Sequence, residues 1–560
     1  MVNWKSRKFG DLVWILNMLL AAVLLNIIAS MFSFRIDLTD ENRYTIKDQT
    51  ITLLQNLDEE VYVEVYLGGE LNAGFRRFRK SIEETLEEFS IRSGNRVRYT
   101  FTDPATAMGQ KAQNEFMADL AARGIQPTNV VDKKDGQRVE KIVFPGALIS
   151  YGGFETGVML LKGNKTASSE EVINQSIEGV EFELANAIYK LTNTERKQVG
   201  LIEGHGELDS LEVAAFNNQL LEFYDVFRVD LSRKNDLERY DVLIIAKPRS
   251  EYSPLEKFKL DQFVMRGGKV MFLVDKLEAS MDSASRDDYF AFPYRHNLDD
   301  QLFRYGARIN LDLVQDQSAA LYPIVTGQVG GNPKMQLIDW PFFPLISNYP
   351  EHPVTRNLDA IITRFASSID TVKADGVKKT PLLVTSKYAR TVGAPVNISV
   401  NQLRNMTPAQ FDKSNIPVAY LLEGSFTSLF KNRFLPEGAD SAGFRSESAF
   451  TRMIVVADGD IARNAINPRT GQPQELGFDP FSNYTFANRD FLMNALAFLT
   501  DEAGLIQARN KQIKIRPLDR QRISEEKTFW QIINIALPLL ILIAFGVVRS
   551  FIRKRRYANF

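Results

Sequence analysis

The 560-residue chain contains no cysteine and only three histidines, and these shortages exclude several kinds of site. Without cysteine there are no disulfides, no thiolate metal ligands and no cysteine nucleophile. His205, His296 and His352 are each solitary in the sequence, so no H-x-x-x-H pair predicts a zinc site. The lack of cysteine is compatible with an oxidising compartment. Neither a resident metal nor a cofactor is predicted.

The chain also lacks an excess of charge of either sign. It has 68 basic and 69 acidic residues, with a formal net charge of −1. This balance argues against binding to nucleic acid and leaves no dominant surface field. A G-x-x-x-x-G-K-[ST] phosphate loop is missing as well, because residues 267–270 read GGKV and residues 163–166 have the wrong spacing. We therefore expect ATP hydrolysis, where the function requires it, on a separate chain.

Two long hydrophobic runs lie towards the ends of the chain, Leu12 to Phe34 and Phe529 to Val548. As a helix the first run is about 34 Å long, which is enough to cross a bilayer core of about 30 Å. It has no good cleavage site, so we expect a retained anchor. The second run contains Gln531, Asn534 and Pro538, which are tolerated in a membrane where neighbouring helices satisfy them. Asn534 and Pro538 are predicted to contact partner helices. The alternative is that the amide side chains lie near the membrane interface and reach water, which is the simpler explanation for Gln531.

Basic residues predict the orientation of these spans. Arg549 and the run 553–556 crowd the C-terminal side of the second span, whereas residues 520–527 on its other side mix basic and acidic residues. The positive-inside rule then places the C-terminus in the cytoplasm. Residues 5–8 favour the same side for the N-terminus with less force. Residues 35–528 are therefore expected outside the cytoplasm.

The soluble body is longer than one hydrophobic core usually allows, so two or three α/β domains are expected. In the first, 35–192, short apolar strands alternate with segments of helical spacing, which gives a thioredoxin-like order of elements. The predicted strands there are 61–67, 96–101, 140–150 and 157–161, and the predicted helices are 75–91, 111–122 and 170–190.

The second region, 198–504, has the clearest α/β pattern. Short Val/Ile/Leu runs separated by amphipathic helices are typical of strands buried on both faces of a parallel sheet. Strands are predicted at 199–202, 227–230, 240–245, 267–275, 381–386, 418–423 and 452–457, and helices at 211–224, 254–266 and 491–499. Residues 280–450 are interpreted as an insertion together with the remaining sheet. The full predicted order is a cytoplasmic segment (1–11), a transmembrane helix (12–34), the two domains, a linker (505–528), a transmembrane helix (529–548) and a basic cytoplasmic tail (549–560).

Five polar residues follow predicted strands and form the main hypothesis for a ligand site. They are His205, Glu207, Asp275, Asp458 and Asp460. Open α/β sheets bind ligands at the carboxyl ends of their strands, so these side chains are candidates for one crevice that binds a cation or a sugar-like ligand. Ordinary turn and helix-cap chemistry explains the same residues, with the Gly-His-Gly-Glu segment as a tight turn.

An aromatic cluster offers a second hypothesis. Trp340, Phe342 and Phe343 are interrupted by prolines and are candidates for an exposed patch that docks a partner, because aromatic residues favour interfaces. The alternative is that they form the packed core of the inserted segment.

Four motifs resemble those of the GldG family, the gliding-motility-associated ABC transporter auxiliary subunits of Bacteroidetes-type bacteria. They are Asp37 to Ile46 (DLTDENRYTI), Glu203 to Glu207 (EGHGE), Tyr240 to Ile245 (YDVLII) and Ile515 to Asp519 (IRPLD). The soluble part is also similar to a domain of an intraflagellar transport protein, which is itself like class I glutamine amidotransferases. The resemblance implies an amidotransferase-like (flavodoxin-like) second domain and a periplasmic body on the bacterial inner membrane. It further implies partnership with a separate ATPase and a multi-spanning permease, in gliding motility and perhaps in type 9 secretion.

Three functions are compatible with these features. The first is a non-catalytic subunit of an ABC transporter-type complex whose body binds a ligand or a periplasmic envelope protein. The second is a scaffold that couples the inner membrane to motility or secretion machinery without transport. The third is a membrane-anchored hydrolase, which ranks last because an amidotransferase of this fold needs a cysteine and no nucleophile-base pair is visible.

Overall fold

A computed structural model describes residues 7–31, 45–104, 110–134, 137–162, 168–193, 196–234, 236–281, 289–329, 332–399, 406–501, 504 and 520–557. The chain is a mixed α/β protein that divides into two compact units, Met1–Lys511 and Gln512–Phe560. Two stretches of the family motifs, 37–44 and 515–519, lie outside the described residues.

The secondary structure alternates between helices and strands through most of the first unit. The helices are α1 (Arg7–Met31), α2 (Asp48–Gln55), α3 (Ala73–Arg92), α4 (Gln110–Ala122), α5 (Ser169–Thr192), α6 (Ala214–Phe223), α7 (Pro254–Met265), α8 (Asp299–Tyr305), α9 (Asn488–Thr500) and α10 (Arg520–Tyr557). The strands are β1 (Val61–Val65), β2 (Val97–Phe101), β3 (Thr128–Lys134), β4 (Gln137–Val143), β5 (Gly146–Tyr151), β6 (Phe154–Met159), β7 (Gln198–Glu203), β8 (Asp225–Asp230), β9 (Val242–Ala246), β10 (Lys269–Leu273), β11 (Phe290–Ala291), β12 (Ala307–Ile309), β13 (Asp312–Asp316), β14 (Ala319–Val329), β15 (Asn332–Ile346), β16 (Ile361–Ile362), β17 (Ile369–Thr371), β18 (Val377–Val384), β19 (Ala389–Gly393), β20 (Val396–Asn397), β21 (Pro417–Thr427), β22 (Glu447–Val456), β23 (Phe478–Asp479) and β24 (Tyr484–Thr485).

A four-stranded sheet of order β2-β1-β5-β6 organises the first region. Strands β1 and β2 are parallel, whereas β5 runs antiparallel to both β1 and β6. Helix α3 begins after Asn72, whose side chain accepts a hydrogen bond from the amide of Phe75, and it buries apolar residues at helical spacing. Apart from the strand predicted at 140–150, the strands and helices predicted for this region are present, with ends shifted by a few residues.

One predicted strand of this region is wrong. Residues 140–150 form two strands, β4 and β5, that belong to different sheets: β4 pairs with β3, and β5 pairs with β1 and β6. The break falls at Phe144-Pro145, where proline has no amide hydrogen to donate to a ladder. The hairpin partner β3 was not predicted.

A seven-stranded sheet of order β18-β21-β22-β10-β9-β7-β8 forms the centre of the second region. The five strands from β22 to β8 are parallel, as the sequence predicts. The sheet is not wholly parallel, because β21 runs antiparallel to β22 and β18 runs antiparallel to β21. Strands β18 and β21 come from the predicted insertion, so part of that segment completes the main sheet.

Both faces of this sheet are covered. Alternate residues of β9 point to opposite sides: Val242 and Ile244 pack in one hydrophobic cluster with α6 and α9, and Leu243 and Ile245 pack in another with α7 and α8. This two-sided burial explains why its strands are continuous apolar runs in the sequence. The arrangement leaves the ends of the strands as the places where polar side chains gather.

Two apolar helices lie towards the chain ends. In α10 the segment Glu525–Arg555 is long and apolar enough to cross a membrane, judged by length and composition. In α1 the apolar part within the described side chains, Val13–Ile27, is shorter. Their apolar side chains are exposed in the isolated chain, which is consistent with membrane anchoring.

Candidate functional site at the sheet edge

Polar side chains collect at the carboxyl edge of the parallel strands. His205 follows β7, Lys247 follows β9, Asp275 follows β10, and Asp458 and Asp460 follow β22. Strands β7, β9, β10 and β22 are parallel neighbours in the sheet. Their ends therefore meet at one edge, which is where open α/β sheets place ligand sites.

The three aspartates form a buried cluster around one lysine. Asp275, Asp458 and Asp460 are 1%, 0% and 7% exposed, and one carboxylate oxygen of each lies within 4.8 Å of the others. The Nζ atom of Lys247 lies 2.8 Å from Oδ2 of Asp275 and 2.6 Å from Oδ2 of Asp460. Lys247 has a φ of 56°, an uncommon conformation for a residue with a side chain. The cluster is an ion-pair network built around an ammonium group.

Backbone amides fix the same carboxylates. The amide of Gly459 donates to Oδ1 of Asp275 at 2.5 Å. The amides of Arg364 and Asp460 donate to the two oxygens of Asp458, each at 2.8 Å. A Cβ at position 459 would lie 2.6 Å from the Cβ of Lys247, so the close approach of these two segments requires glycine.

The charges within the cluster differ from one carboxyl group to the next. Burial raises the pKa of Asp458 well above its ordinary value, and the nearby Asp275 and Asp460 add to the effect. For Asp460 burial works against the charged form, but Lys247 outweighs it and the pKa is lowered. Burial also opposes the charge on Lys247, yet Asp275 and Asp460 together raise its pKa. The pKa is thus raised for Asp275 and Asp458 and lowered for Asp460, although all three carboxyl groups are buried.

This donor set does not fit a resident metal ion well. Three carboxylates at this spacing are ligands that hard divalent cations use. However, the ammonium of Lys247 already occupies the position between Asp275 and Asp460, and a divalent cation would have to displace it. The geometry fits an internal ion-pair network.

His205 and Glu207 belong to a second buried cluster. The imidazole stacks on the ring of Tyr252, with centroids 3.7 Å apart and planes 9° apart. Nδ1 of His205 lies 3.3 Å from Oε1 of Glu207, and Nε2 lies 3.3 Å from Oε2 of Glu256. The hydroxyl of Tyr252 donates to Oε1 of Glu207 at 2.7 Å. The predicted tight turn is also present, because Gly204 and Gly206 have φ values of 113° and 72°.

Two carboxylates control the charge of this histidine. Burial lowers the pKa of His205, but Glu207 and Glu256 raise it more, so the net shift is upwards. Burial would raise the pKa of Glu256, whereas hydrogen bonds from Ser253 and the interaction with His205 lower it overall. The second cluster therefore favours an imidazolium held between carboxylates.

The five predicted residues fall into two groups and not into one crevice. Asp275, Asp458 and Asp460 come together around Lys247, whereas His205 lies beside Glu207 and Glu256. The backbone joins them: the amides of residues 249 and 250 donate to the carbonyl of His205 just after Lys247. Ordinary turn and helix-cap chemistry, the alternative to a ligand site, therefore accounts for many of the contacts at this edge of the sheet.

Sequence reasoning missed four residues of the edge, namely Lys247, Tyr252, Glu256 and Arg364. Lys247 directly follows a predicted strand, so the argument that found Asp275 applies to it equally. Glu256 completes a Ser-Pro-Leu-Glu capping box at the start of α7, which is a recognisable signal for a helix start. Neither Tyr252 nor Arg364 has a local signal that indicates its role.

The aromatic cluster is buried and not an exposed patch. Trp340, Phe342 and Phe343 are 0%, 1% and 6% exposed. They pack against Phe365 and the partly buried Tyr322 in the core of the inserted segment. These rings bury more apolar area here than a surface position would allow, which corrects the expectation of an exposed docking site.

The polar residues of the second span are exposed along α10. Asn534 and Pro538 both lie within this helix, and Pro538 is in its interior. Among the described residues of the unit Gln512–Phe560, α10 is the only helix, so this unit itself supplies no partner helix. Their predicted contact with partner helices remains a prediction.

Three comparisons with known proteins cover different lengths of the chain. A model of a domain of unknown function matches residues 40–150. An uncharacterized protein of Borreliella burgdorferi is 24% identical over 551 residues, which cover 94% of this chain and 95% of that protein. A solved structure titled mmIFT52 N-terminal domain is 12% identical and covers 55% of this chain and 98% of that structure, with a TM-score of 0.31.

The most extensive family match covers the region of the seven-stranded sheet. The model described as ABC-type uncharacterized transport system matches residues 196–495, more than half of the chain, and it includes both clusters at the sheet edge. This protein therefore belongs to the family of the ABC-type uncharacterized transport system.

Proposed function

We propose that this chain is a non-catalytic, membrane-anchored auxiliary subunit of an ABC transporter-type complex. It holds a large body near the membrane, where the body binds a ligand or an envelope partner. The family match supports this role, and so does the long apolar segment Glu525–Arg555. The complex supplies two further parts, a multi-spanning permease and a separate ATPase subunit.

The state of the acidic cluster is the observation that best supports a non-catalytic body. Asp275 and Asp458 are at most 1% exposed, and Lys247 forms buried ion pairs with Asp275 and Asp460. Carboxylates in that position are out of reach of a substrate, and the chain has no cysteine to act as nucleophile. The sequence also has no G-x-x-x-x-G-K-[ST] phosphate loop, so we assign ATP hydrolysis to a partner subunit.

The proposal includes a topology and a domain order. Both termini are cytoplasmic, and residues 35–528 lie in the periplasm of a bacterium, anchored to its inner membrane by spans 12–34 and 529–548. Domain 35–192 is thioredoxin-like in its order of elements, and domain 198–504 is amidotransferase-like with an insertion around 280–450. The basic residues at 549–556 support this orientation.

We further propose that the complex serves gliding motility, with type 9 secretion as a second process to be tested. The resemblance of four motifs to those of the GldG family supports this finer assignment. The alternative is a periplasmic scaffold that couples the inner membrane to motility or secretion machinery without transport. A membrane-anchored hydrolase ranks third, because it requires the buried aspartates to open to solvent.

The test is affinity purification of the tagged full-length chain from native membranes in mild detergent, with mass spectrometry and an ATPase assay. We expect an ATPase and a permease in stoichiometric amounts. Recovery with envelope proteins and no ATPase would contradict the transporter role and favour the scaffold. Hydrolytic activity of the purified chain that disappears in Asp275→Asn would favour the third function.

A further inference from the structure

The chain segments that connect the body to the two predicted membrane spans leave the body at one place. Gln49 lies in α2, the first helix after span 12–34, and Gly504 follows α9 on the way to span 529–548. A Cβ at position 504 would lie 3.4 Å from Cγ and 3.8 Å from Nε2 of Gln49, so the two segments lie next to each other. Both belong to the compact unit Met1–Lys511. The two connections to the membrane therefore begin side by side.

Buried contacts hold the first connection. The carboxylate of Glu181 in α5 is almost completely buried, and it accepts hydrogen bonds from the amide of Lys47 at 2.7 Å and from the hydroxyl of Thr50 at 3.0 Å. Ile46 and Leu54 are buried in the same hydrophobic cluster as apolar residues of α5. Helix α2 is therefore fixed on α5 from its first turn.

The second connection is held in a similar way. Thr500 ends α9, and its hydroxyl lies 3.4 Å from the hydroxyl of Tyr224 and forms a hydrogen bond with it. Phe498 and Leu499 belong to the hydrophobic cluster that includes Tyr224 and also Phe182 of α5. Helix α5 thus contributes to both clusters that hold the connections in place.

The length of the first connection limits how the body can stand on the membrane. Residues 35–44 separate the predicted span from the described body, and ten residues reach about 35 Å at full extension. A compact body of the size of residues 45–504 has a radius of gyration of about 23 Å, so its opposite sides lie roughly 60 Å apart. The connection is therefore too short to bring the opposite side of the body against the bilayer.

We propose that the side of the body formed by α2, α5 and the C-terminal end of α9 rests on the lipid surface of the bilayer. This orientation deepens the proposed function and rests on its two membrane spans. Helices α7 and α8 pack on the face of the seven-stranded sheet opposite α6 and α9, so they lie further from the bilayer. Phe434 is fully exposed on that remote side, next to Arg433, which pairs with Asp300 of α8. The remote side is the one open to a periplasmic partner.

The absence of native cysteine allows a direct test, because a single engineered cysteine carries a fluorophore at a known place. Asp48→Cys, next to Gln49, is compared with Phe434→Cys in the full-length chain reconstituted into phosphatidylcholine liposomes. Part of the lipid carries a nitroxide on its headgroup, which quenches nearby fluorophores only. Both positions are exposed, and we expect a loss of fluorescence at position 48 and no loss at position 434. Equal quenching at the two positions, or quenching at neither, would overturn the proposal.

Controls separate this orientation from the proposed anchoring. Phe529→Cys, at the start of the second span, is the positive control for quenching. Extraction of the chain from the liposomes by alkaline carbonate would refute the anchoring itself, whereas a retained chain without quenching at position 48 would refute the orientation alone. The same labels in a complex with the permease test the other possible occupant of this side. Quenching at position 48 that the permease abolishes would overturn the assignment to lipid and assign this side to the permease.

Discussion

The Nζ atom of Lys247 lies 2.8 Å from Oδ2 of Asp275, and both side chains are almost completely buried. This pair joins the ends of neighbouring parallel strands β9 and β10. Asp460 adds a second contact from the end of β22 at 2.6 Å. One ammonium thus ties three strand ends together, and the sheet edge depends on it.

Removal of this ammonium leaves buried carboxylates without compensation. We expect Lys247→Met to destabilise the body by about 3–5 kcal/mol, because breaking a buried ion pair on one side is strongly destabilising. The matched control is Lys431→Met, which removes a surface pair with Glu447 and is expected to cost far less, because water screens an exposed ion pair. Urea unfolding of the full chain in detergent measures both. Similar costs for the two variants would contradict the role assigned to Lys247.

Substitution of Gly459 tests the close approach of the segment after β22 to Lys247. Gly459→Ala places a Cβ 2.6 Å from the Cβ and 2.9 Å from the Cα of Lys247, so the lysine has to move away from its aspartates. We expect a cost of about 1–3 kcal/mol, typical of overpacking. Gly393→Ala is the control, because nothing lies within 4 Å of the added carbon there. A smaller loss of stability in Gly459→Ala than in the control would show that the segments can separate freely.

The histidines are expected to affect stability in opposite ways as pH changes. The pKa of His205 is raised in the folded state, so its contribution is complete below its unfolded value of about 6.5 and is lost as pH rises through the folded value. The stability difference between the wild type and His205→Gln should therefore decrease at alkaline pH. Chemical unfolding between pH 6 and pH 9 measures this difference.

His352 is the matched control for this pH effect. Burial, with Lys378 and Arg452 nearby, lowers its pKa to about 4. A histidine kept neutral in the fold loses stability as pH falls below about 6.5, because the unfolded chain binds the proton more tightly. The difference between the wild type and His352→Gln should decrease as pH falls below about 6.5, so the chemical unfolding curves of this variant extend to about pH 4. Parallel pH curves for the two variants would refute the opposite charge states.

The sequence predicts much of the sheet and of its edge, for a physical reason. Strands buried on both faces are continuous apolar runs, and polar residues directly after them fall at the strand ends. Asp275, Asp458 and Asp460 were found in this way, and they do converge. Lys247 follows the same rule, but a single lysine after a strand is ordinary in a surface turn and does not by itself indicate a buried network.

Contacts between residues that are distant in the sequence determine the side-chain positions that no local pattern predicts. Tyr252 meets His205 only because the chain after β9 folds back on the turn after β7, and no local pattern encodes that contact. The segment around Trp340 is rich in aromatic residues, which are common both at protein interfaces and in hydrophobic cores. Its burial depends on Phe365 and Tyr322, which come from other strands and loops. The break within 140–150 is predictable from the sequence, because Pro145 interrupts the hydrogen-bond ladder of a strand.

The side-chain amide of Asn534 in the second span provides a test of the predicted contact with partner helices. Asn534 lies in the apolar segment of α10, where an amide without a partner is unfavourable in hydrocarbon. If it bonds a helix of the permease, Asn534→Leu should lower the amount of permease recovered with the tagged chain several-fold, in line with about 1 kcal/mol for an interhelical hydrogen bond. Gln531→Leu is the control, because an amide nearer the membrane interface reaches water and has less need of a partner. Quantitative mass spectrometry at equal bait recovery measures both variants. Unchanged recovery in Asn534→Leu would contradict the contact, and equal losses in both variants would indicate a general effect of polarity and not a specific bond.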